Sequence, residues 1–304
     1  MSSAEDLPTL EQDDQLAEPL RRVAYEAGMM LGLEATRDEQ AYHRRRLTRH
    51  QYWLNGYGTL AGMRVTMTPG THDNTADSLT GLQLRVSPGT GIDGLGREVM
   101  MHESHCIRLA QWLAAQPNER LLEGYDSDAG ELWLKVTVRH KDCPIARQPV
   151  LTRRINAGSD AVQPSRTADS VELELIPELP PGSPDGRFKP WGSHNPIQDE
   201  LPTLSGDEQQ TLTDLQASNA IAGRQLALHA QLLHSLEDSG LSTRNLAHEL
   251  ENGARLLLAR IRIETSDPLN TVVNPGLIHI NNLVRPFLAT ASQLAWLGSQ
   301  NSNG

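Results

Sequence analysis

Several residue types are scarce in this sequence, and each shortage excludes a class of protein. The 304 residues include only two cysteines, Cys106 and Cys143, which are too few for a disulfide framework and lack the paired spacing of a structural zinc site. Both are expected to be ordinary reduced thiols. No run of about 18 apolar residues occurs, so no segment is predicted to insert into a membrane.

Basic residues are absent before Arg21, whereas acidic residues collect there. This order is the reverse of the positively charged start of a secretory signal, so the chain is predicted to fold in the cytoplasm. Residues 1–18 are predicted to form an acidic, flexible leader. The formal net charge of −11 argues against nucleic acid as the main partner, because DNA binding depends largely on neutralising phosphates.

The composition is otherwise typical of a folded domain, since hydrophobic residues make up 38% of the chain and charged residues only 21%. Five segments alternate apolar and polar residues with a period of two, as strands with one buried face do. Gly, Pro, Asp and Ser clusters separate them. The predicted fold class is therefore α+β, with a mainly antiparallel β-sandwich or sheet domain. The five segments are 63–67, 82–86, 132–138, 171–175 and 257–263.

The first predicted helix is capped at both ends. Thr36 and Glu39 have the T-x-x-E spacing of a capping box, and Asn55 and Gly56 suit a helix C-terminus. One face carries residues at steps of four, three and four, and basic and aromatic residues form the adjoining stripe. The face comprises His43, Leu47, His50 and Leu54, and the stripe comprises Tyr42, Arg46, Arg49 and Trp53.

Arg44, Arg45, Arg46 and Arg49 on this helix admit three interpretations. They form a solvated or internally paired surface, contact another subunit, or contact nucleic acid or a membrane. The subunit interpretation has a physical basis, because arginine is enriched at interfaces, where it pairs with carboxylates and stacks on aromatic rings. The acidic leader of another copy would be a natural counterpart.

A second long helix is predicted from the capping-box spacing of Ser205 and Glu208. It is expected to run to about Asp238 and to stop before Gly240. Its unbroken three-four spacing predicts a seam that either packs on the sheet of its own chain or pairs with another helix as in a coiled coil. The seam comprises Leu212, Leu215, Asn219, Ala222, Leu226, His229, Leu233 and Leu236.

Proline and glycine mark the predicted domain boundaries. Residues 19–180 are expected to hold the N-terminal helix and a β-rich domain, and residues 181–206 a Pro/Gly-rich linker. The long inserted helix then occupies 207–240. Residues 241–304 are expected to complete the sheet and to end in a helix near 287–297.

Two motifs could bind a ligand. The GTGIDG sequence at 89–94 matches G-x-G-x-x-G, but a strand-like LGREVMM follows it instead of the helix that would hold a pyrophosphate. Its glycines are predicted to be hairpin turn residues. His102, His105 and Cys106 are weak candidate metal ligands, although an extended strand would point the two histidines to opposite faces. No catalytic set emerges, so neither a cofactor nor an enzymatic activity is predicted.

Ordered sequence blocks along most of the chain carry a family resemblance. RVAYEAGMML at 22–31 has the form R-V-x-Y-x-x-G-x-x-L, and the block at 39–46 has the form E-Q-x-Y-H-R-x-R. G-x-G-x-x-x-G-M-x-V spans 56–65, and V-S-P-G-x-x-x-D-x-x-G-R-E spans 86–98. LWLKVTVRHKDCP, PSRTADSVELELIPELPP, LARIRI and NNLVRPF follow. In this order the blocks resemble baseplate or tail proteins from gene clusters of contractile phage-tail-like injection systems.

The resemblance implies a structural subunit at the baseplate or fibre-attachment region of such a particle. It would be assembled in the cytoplasm, bind other subunits, form homo-oligomers, and stay in the cell or be released with the particle. The N-terminal plan also resembles the type VI secretion baseplate adaptor, an analogy that does not fix function. Two alternatives stay open. One is a carbohydrate- or receptor-contacting tail accessory with a groove of Trp112, Trp133 and Trp191, and the other is a metal-dependent hydrolase centred on His102, His105 and Cys106.

Overall fold

The computed structural model divides the chain into two compact units, which are described separately. The sheet unit consists of Arg22–Arg187 and Ala254–Gly304, and the second unit of Met1–Arg21 and Phe188–Gly253. The residues that the structure describes are 22–69, 82–149, 162–180, 204–220, 222–223, 226–227, 253–271 and 274–300.

In the described residues of the sheet unit, one helix is followed by six strands, two short helices, five further strands and a last helix. The helices are α1 (Leu33–Asn55), α2 (Leu109–Ala114), α3 (Asn118–Leu122) and α5 (Ala291–Gln300), with 3₁₀ turns at Pro268–Asn270 and Pro275–Leu277; α4 (Gly206–Ser218) belongs to the second unit. The strands are β1 (Gly58–Gly62), β2 (Val65–Pro69), β3 (Leu82–Val86), β4 (Gly89–Ile92), β5 (Glu98–Met101), β6 (His105–Arg108), β7 (Tyr125–Asp126), β8 (Glu131–Pro149), β9 (Val162–Pro177), β10 (Leu256–Glu264) and β11 (Ile278–Asn281).

Three sheets with antiparallel strand pairs make up this unit. One has the order β1-β4-β5 and another the order β2-β3-β6. The third has the order β11-β10-β8-β7, and β9 also pairs with β8. Each segment that was predicted from alternation lies in a strand or overlaps one. The predicted α+β class with mainly antiparallel sheets is therefore confirmed.

The core follows directly from the alternation along β8. Leu132, Leu134, Val136 and Val138 are fully buried, and they pack in one cluster with β10 and with strands of the other sheets. Burying an aliphatic side chain of this size contributes about 1.5–3 kcal/mol, so this single row stabilises the unit substantially. Of the residues that alternate with this row, Lys135 and Arg139 are charged and half-buried, whereas Trp133 and Thr137 are uncharged.

The first helix begins four residues earlier than the capping box predicts, with Gly32 and not Thr36 at the N-cap position. α1 starts at Leu33 after Gly32, which provides no side-chain cap. Thr36 instead donates its hydroxyl to the Gly32 carbonyl at 3.3 Å, and Glu39 accepts the Val23 amide at 2.9 Å. The capping-box prediction was therefore wrong, because both side chains have other partners. The predicted end at Asn55 with a Gly56 cap is confirmed.

The GTGIDG sequence forms part of a hairpin, as predicted, but not all its glycines are turn residues. β4 pairs with β5, and residues 93–97 make the turn, so no helix begins there. Gly89 and Gly91 lie within β4, where atoms of neighbouring strands occupy the space of a Cβ. The turn prediction was wrong for these two, which permit close strand packing. Gly96, with a φ of 80°, does need the left-handed region.

The helix of the second unit begins as predicted and ends early. Ser205 Oγ accepts the Glu208 amide and Glu208 Oε2 accepts the Ser205 amide, so this capping box is confirmed. The helix stops at Ser218, and Asn219 has extended backbone at φ −152° and ψ 100°. Asn219 Oδ1 accepts the Ala222 amide at 3.1 Å, and such local bonding competes with helix continuation. The prediction of an unbroken helix to Asp238 was therefore wrong at Asn219.

Candidate protein interface

One face of α1 is exposed along its length. Leu47 is 60% and Leu54 69% exposed, and His43 and His50 on the same face are also exposed. Because the helix starts at Leu33, the face extends to that residue, which is 67% exposed. Its three leucines are separated by multiples of seven residues, the spacing of a coiled-coil seam. The sequence prediction missed Leu33, although this residue lies two seven-residue repeats before Leu47 and the spacing was a usable signal.

The other side of α1 packs on its own chain. Thr48 is buried, and Gly96 of the β4–β5 turn lies directly against its carbonyl group. Tyr52 stacks on Tyr57 with ring centroids 6.4 Å apart. Among the helix side chains that the structure describes, which exclude that of Trp53, Thr48 alone is buried. The C-terminal half of α1 is thus fixed to the sheet unit while its outer face stays accessible.

A buried ion pair holds the turn that receives α1. Asp93 is fully buried, and its Oδ2 accepts Arg97 Nε at 2.7 Å. Asp93 Oδ1 accepts the amides of Leu95 and Arg97, each at 2.9 Å. Burial raises the pKa of the Asp93 carboxyl, and the Arg97 guanidinium opposes this shift. The sequence showed both residues within one block but gave no sign that they are buried.

The arginines of α1 divide between the two sides of the helix. Arg45 and Arg49 are half-buried, and burial lowers the pKa of each guanidinium. Arg44 and Arg46 are exposed. Arg46 Nη1 donates to the Tyr42 hydroxyl at 2.7 Å, and its guanidinium lies 5.9 Å from the ring centroid. Arg44 and Arg46 therefore border the exposed face, whereas Arg45 and Arg49 belong to the packed side.

The segment before α1 adds further exposed apolar residues. Its Val23 amide bonds to Glu39 and lowers the pKa of that carboxyl. Met30 is 96% exposed, and Tyr25 and Met29 are each more than half exposed. Isolated exposed apolar side chains are normal, but a run beside an exposed leucine seam is typical of interaction surfaces.

The predicted metal candidates lie in and beside β6. His102 is exposed in the turn after β5, His105 is half-buried at the start of the strand, and Cys106 is exposed at the next position. Adjacent strand residues point to opposite faces, which separates His105 from Cys106. Within the described residues, the His, Cys, Asp and Glu side chains that converge as a possible ligand group lie elsewhere, on β8 and β9.

The tryptophans proposed to line a groove have different settings. Trp112 on α2 is half-buried against the hydrophobic core, which gives it a packing role. Trp133 is half-buried in β8, and its backbone amide and carbonyl bond to Gly124 and Glu178. Trp191 lies outside the described residues.

The leucines proposed as an interface on the second helix are less exposed than those of α1. Leu212 is 2% exposed, and Leu215 and Leu226 are half-buried. Leu233 and Leu236 lie outside the described residues. The described part of this helix therefore offers no exposed leucine row like that of α1.

Comparison with known proteins gives little beyond this geometry. The sequence matches no family model and no curated protein. A chain from the cryo-electron microscopy structure of the type VI secretion system TssK-TssF-TssG baseplate subcomplex is similar at 11% identity and a TM-score of 0.25, with 78% of this chain and 82% of that chain covered. A TM-score of this size does not establish a common fold. None of the helices in the described residues combines the length and the apolar character needed to cross a bilayer.

Proposed function

We propose that this chain is a non-enzymatic structural subunit of a contractile phage-tail-like injection particle, at its baseplate or fibre-attachment region. It acts by protein–protein assembly through the exposed face of α1. The observation that carries the proposal is the row of Leu33, Leu47 and Leu54, which stays exposed although the helix is anchored at Thr48. The ordered sequence blocks that resemble tail proteins supply the class of particle.

The size of the α1 face favours a partner within a larger assembly. A helix of 23 residues is about 34 Å long, and burying its three leucines would contribute roughly 1.5–3 kcal/mol each. Association itself costs an estimated 4–15 kcal/mol, which is comparable to the whole gain. The face therefore holds a partner firmly only when further contacts join the same two bodies, as in a many-subunit particle.

The charges beside the face favour a defined partner chemistry. Arg44 and Arg46 border the leucine row and would meet carboxylates on the opposing surface. Charge pairs at the rim mainly guide association and fix orientation, whereas the apolar row supplies affinity. A second copy of the chain or a companion subunit with an acidic helix fits this arrangement.

Recovery of the chain from its native host tests the class of function. Affinity purification of a tagged copy, followed by negative-stain electron microscopy and protein identification, is expected to recover sheath and tube proteins with tail-like particles. A strain that expresses the tag alone controls for non-specific capture. Recovery of only the free chain from cells that contain assembled particles would contradict the proposal.

A further inference from the structure

Three side chains with metal-binding atoms meet on the long β8–β9 hairpin. His140 and Asp142 are two residues apart on β8 and therefore share a face, and Asp169 of β9 stands directly opposite Asp142 in the strand register. One ligand atom from each lies within 4.8 Å of the others. Cys143 points to the other face because it is adjacent to Asp142, so the group consists of one imidazole and two carboxylates.

The three residues lie where the core-facing row of the hairpin leaves the core. Val136 and Val138 precede His140 on the same face of β8 and are fully buried. β10 pairs with β8 only as far as Val138, so the described hairpin continues beyond that point as two strands. A two-stranded ribbon is marginally stable without further contacts, and this part needs additional stabilisation.

Charges on the two faces of this ribbon are arranged differently. On one face, Glu172 accepts hydrogen bonds from both Arg139 and Lys141, so its carboxylate is neutralised. On the other face, the carboxylates of Asp142 and Asp169 oppose each other, and within the described residues no lysine or arginine pairs with either. Like charges directly opposite on two strands are destabilising. His140 Nε2 lies 3.1 Å from Asp142 Oδ1 and stands beside both.

The geometry points to a site for one divalent transition-metal ion, bound by His140, Asp142 and Asp169. A tetrahedral Zn²⁺ with bonds of about 2.0–2.2 Å spaces its ligand atoms roughly 3.3–3.6 Å apart. The 3.1 Å separation of His140 Nε2 and Asp142 Oδ1 is close to that spacing, and rotation of the exposed Asp169 side chain would complete the set. Three protein ligands leave a fourth position for water.

Such an ion would have a structural consequence for the hairpin. It would neutralise the opposed carboxylates and link β8 to β9 beyond the end of β10. Mixed nitrogen and oxygen ligands favour Zn²⁺ or Mn²⁺ over Ca²⁺, which prefers a shell of oxygen atoms only. This site is independent of the α1 face, so its success or failure leaves the proposed assembly role unchanged.

Zinc titration of the full, untagged chain tests the site. After treatment with a chelator and buffer exchange, isothermal titration calorimetry is expected to show saturable binding of about one Zn²⁺ per chain, and Zn²⁺ is expected to raise the unfolding temperature. Asp169→Asn keeps the side-chain shape of an exposed residue and is expected to weaken binding by at least about tenfold. His140→Gln is expected to do the same.

Glu172→Gln is the matched control, because it removes one carboxylate from the opposite face of the same hairpin. Its zinc affinity is expected to equal that of the unaltered chain. Absence of saturable binding would overturn the proposal. Equal binding by Asp169→Asn and the unaltered chain would also overturn it, because the zinc would then occupy another site.

Discussion

Gly96 lies against the carbonyl oxygen of Thr48 so closely that a Cβ at position 96 would overlap it. This contact joins the β4–β5 turn to the one buried residue of α1 among those described. The turn is itself fixed by the buried pair of Asp93 and Arg97. The direction in which α1 presents its exposed leucines therefore depends on a glycine and an ion pair in another part of the chain.

Gly96→Ala is expected to destabilise the sheet unit by more than about 2 kcal/mol, because it adds a backbone clash to the cost of a left-handed alanine. Gly130→Ala is the matched control. Gly130 has a similar φ of 66°, but the nearest atom to its added Cβ is 3.6 Å away, so only about 1–2 kcal/mol is expected. Urea unfolding measures both, and equal losses would contradict a tight contact at Thr48.

Asp93→Asn is expected to cost about 3–5 kcal/mol, because it leaves the buried Arg97 guanidinium without its carboxylate. Asp126→Asn is a suitable control, since Asp126 at the half-buried end of β7 accepts the Asp128 and Ala129 amides, which an asparagine oxygen can also accept, and its replacement should cost less than about 1 kcal/mol. Thermal and urea unfolding of the purified variants report the difference. Similar losses for both variants would mean that the buried pair does not hold the turn.

Glu172 provides a pH-dependent test of the hairpin charges. The hydrogen bond from Lys141, together with Arg139, lowers the pKa of Glu172 from its ordinary value of 4.5. A carboxyl with a lowered folded-state pKa adds stability above the unfolded pKa, and this contribution disappears as the pH falls through the folded pKa. The unaltered chain should therefore lose slightly more stability than Glu172→Gln between neutral pH and the region below 4.5.

Glu172, Arg139 and Lys141 are all partly exposed, so the two proteins are expected to differ by less than about 1 kcal/mol in this loss of stability. Urea unfolding measured across this pH range reports the difference. Parallel curves for the two proteins would show that the ion pairs of Glu172 add no net stability.

Charge reversal is expected to have different effects at an exposed and at a half-buried arginine of α1. Arg44→Glu changes an exposed residue at the edge of the leucine row and should weaken assembly while leaving unfolding within about 0.5 kcal/mol of the unaltered chain. Arg45→Glu changes a half-buried residue, so it should lower the unfolding temperature as well. Circular dichroism melts and particle assembly assays separate the effects. Loss of folding in both variants would contradict this division.

The sequence predicted those helices and strands that are specified by residues close together in the chain. Alternation of apolar residues located the strands of the five segments, and the Ser205–Glu208 spacing located the start of α4. The Thr36–Glu39 spacing was equally good locally, but Glu39 bonds to the Val23 amide, a contact that depends on the path of the preceding segment. Local spacing alone could not distinguish the two cases.

The features that the sequence did not predict depend on contacts between distant parts of the chain. Gly91 is needed because Gly58 and Leu256 approach it, and no turn signal describes that requirement. Asp142 and Asp169 meet only because β8 and β9 pair in one register. The face of α1 was predictable from helical spacing, whereas its exposure depends on which side packs on the sheet unit.

The central claim is that the exposed leucines of α1 bind another subunit, and a paired substitution tests it most directly. Leu47→Ser with Leu54→Ser should leave the stability of the isolated chain nearly unchanged but remove it from purified particles, as measured by quantitative mass spectrometry of particles from the native host. Leu122→Ser, at a leucine of α3 that is 52% exposed, should be incorporated normally. Full incorporation of the double variant would contradict the claim.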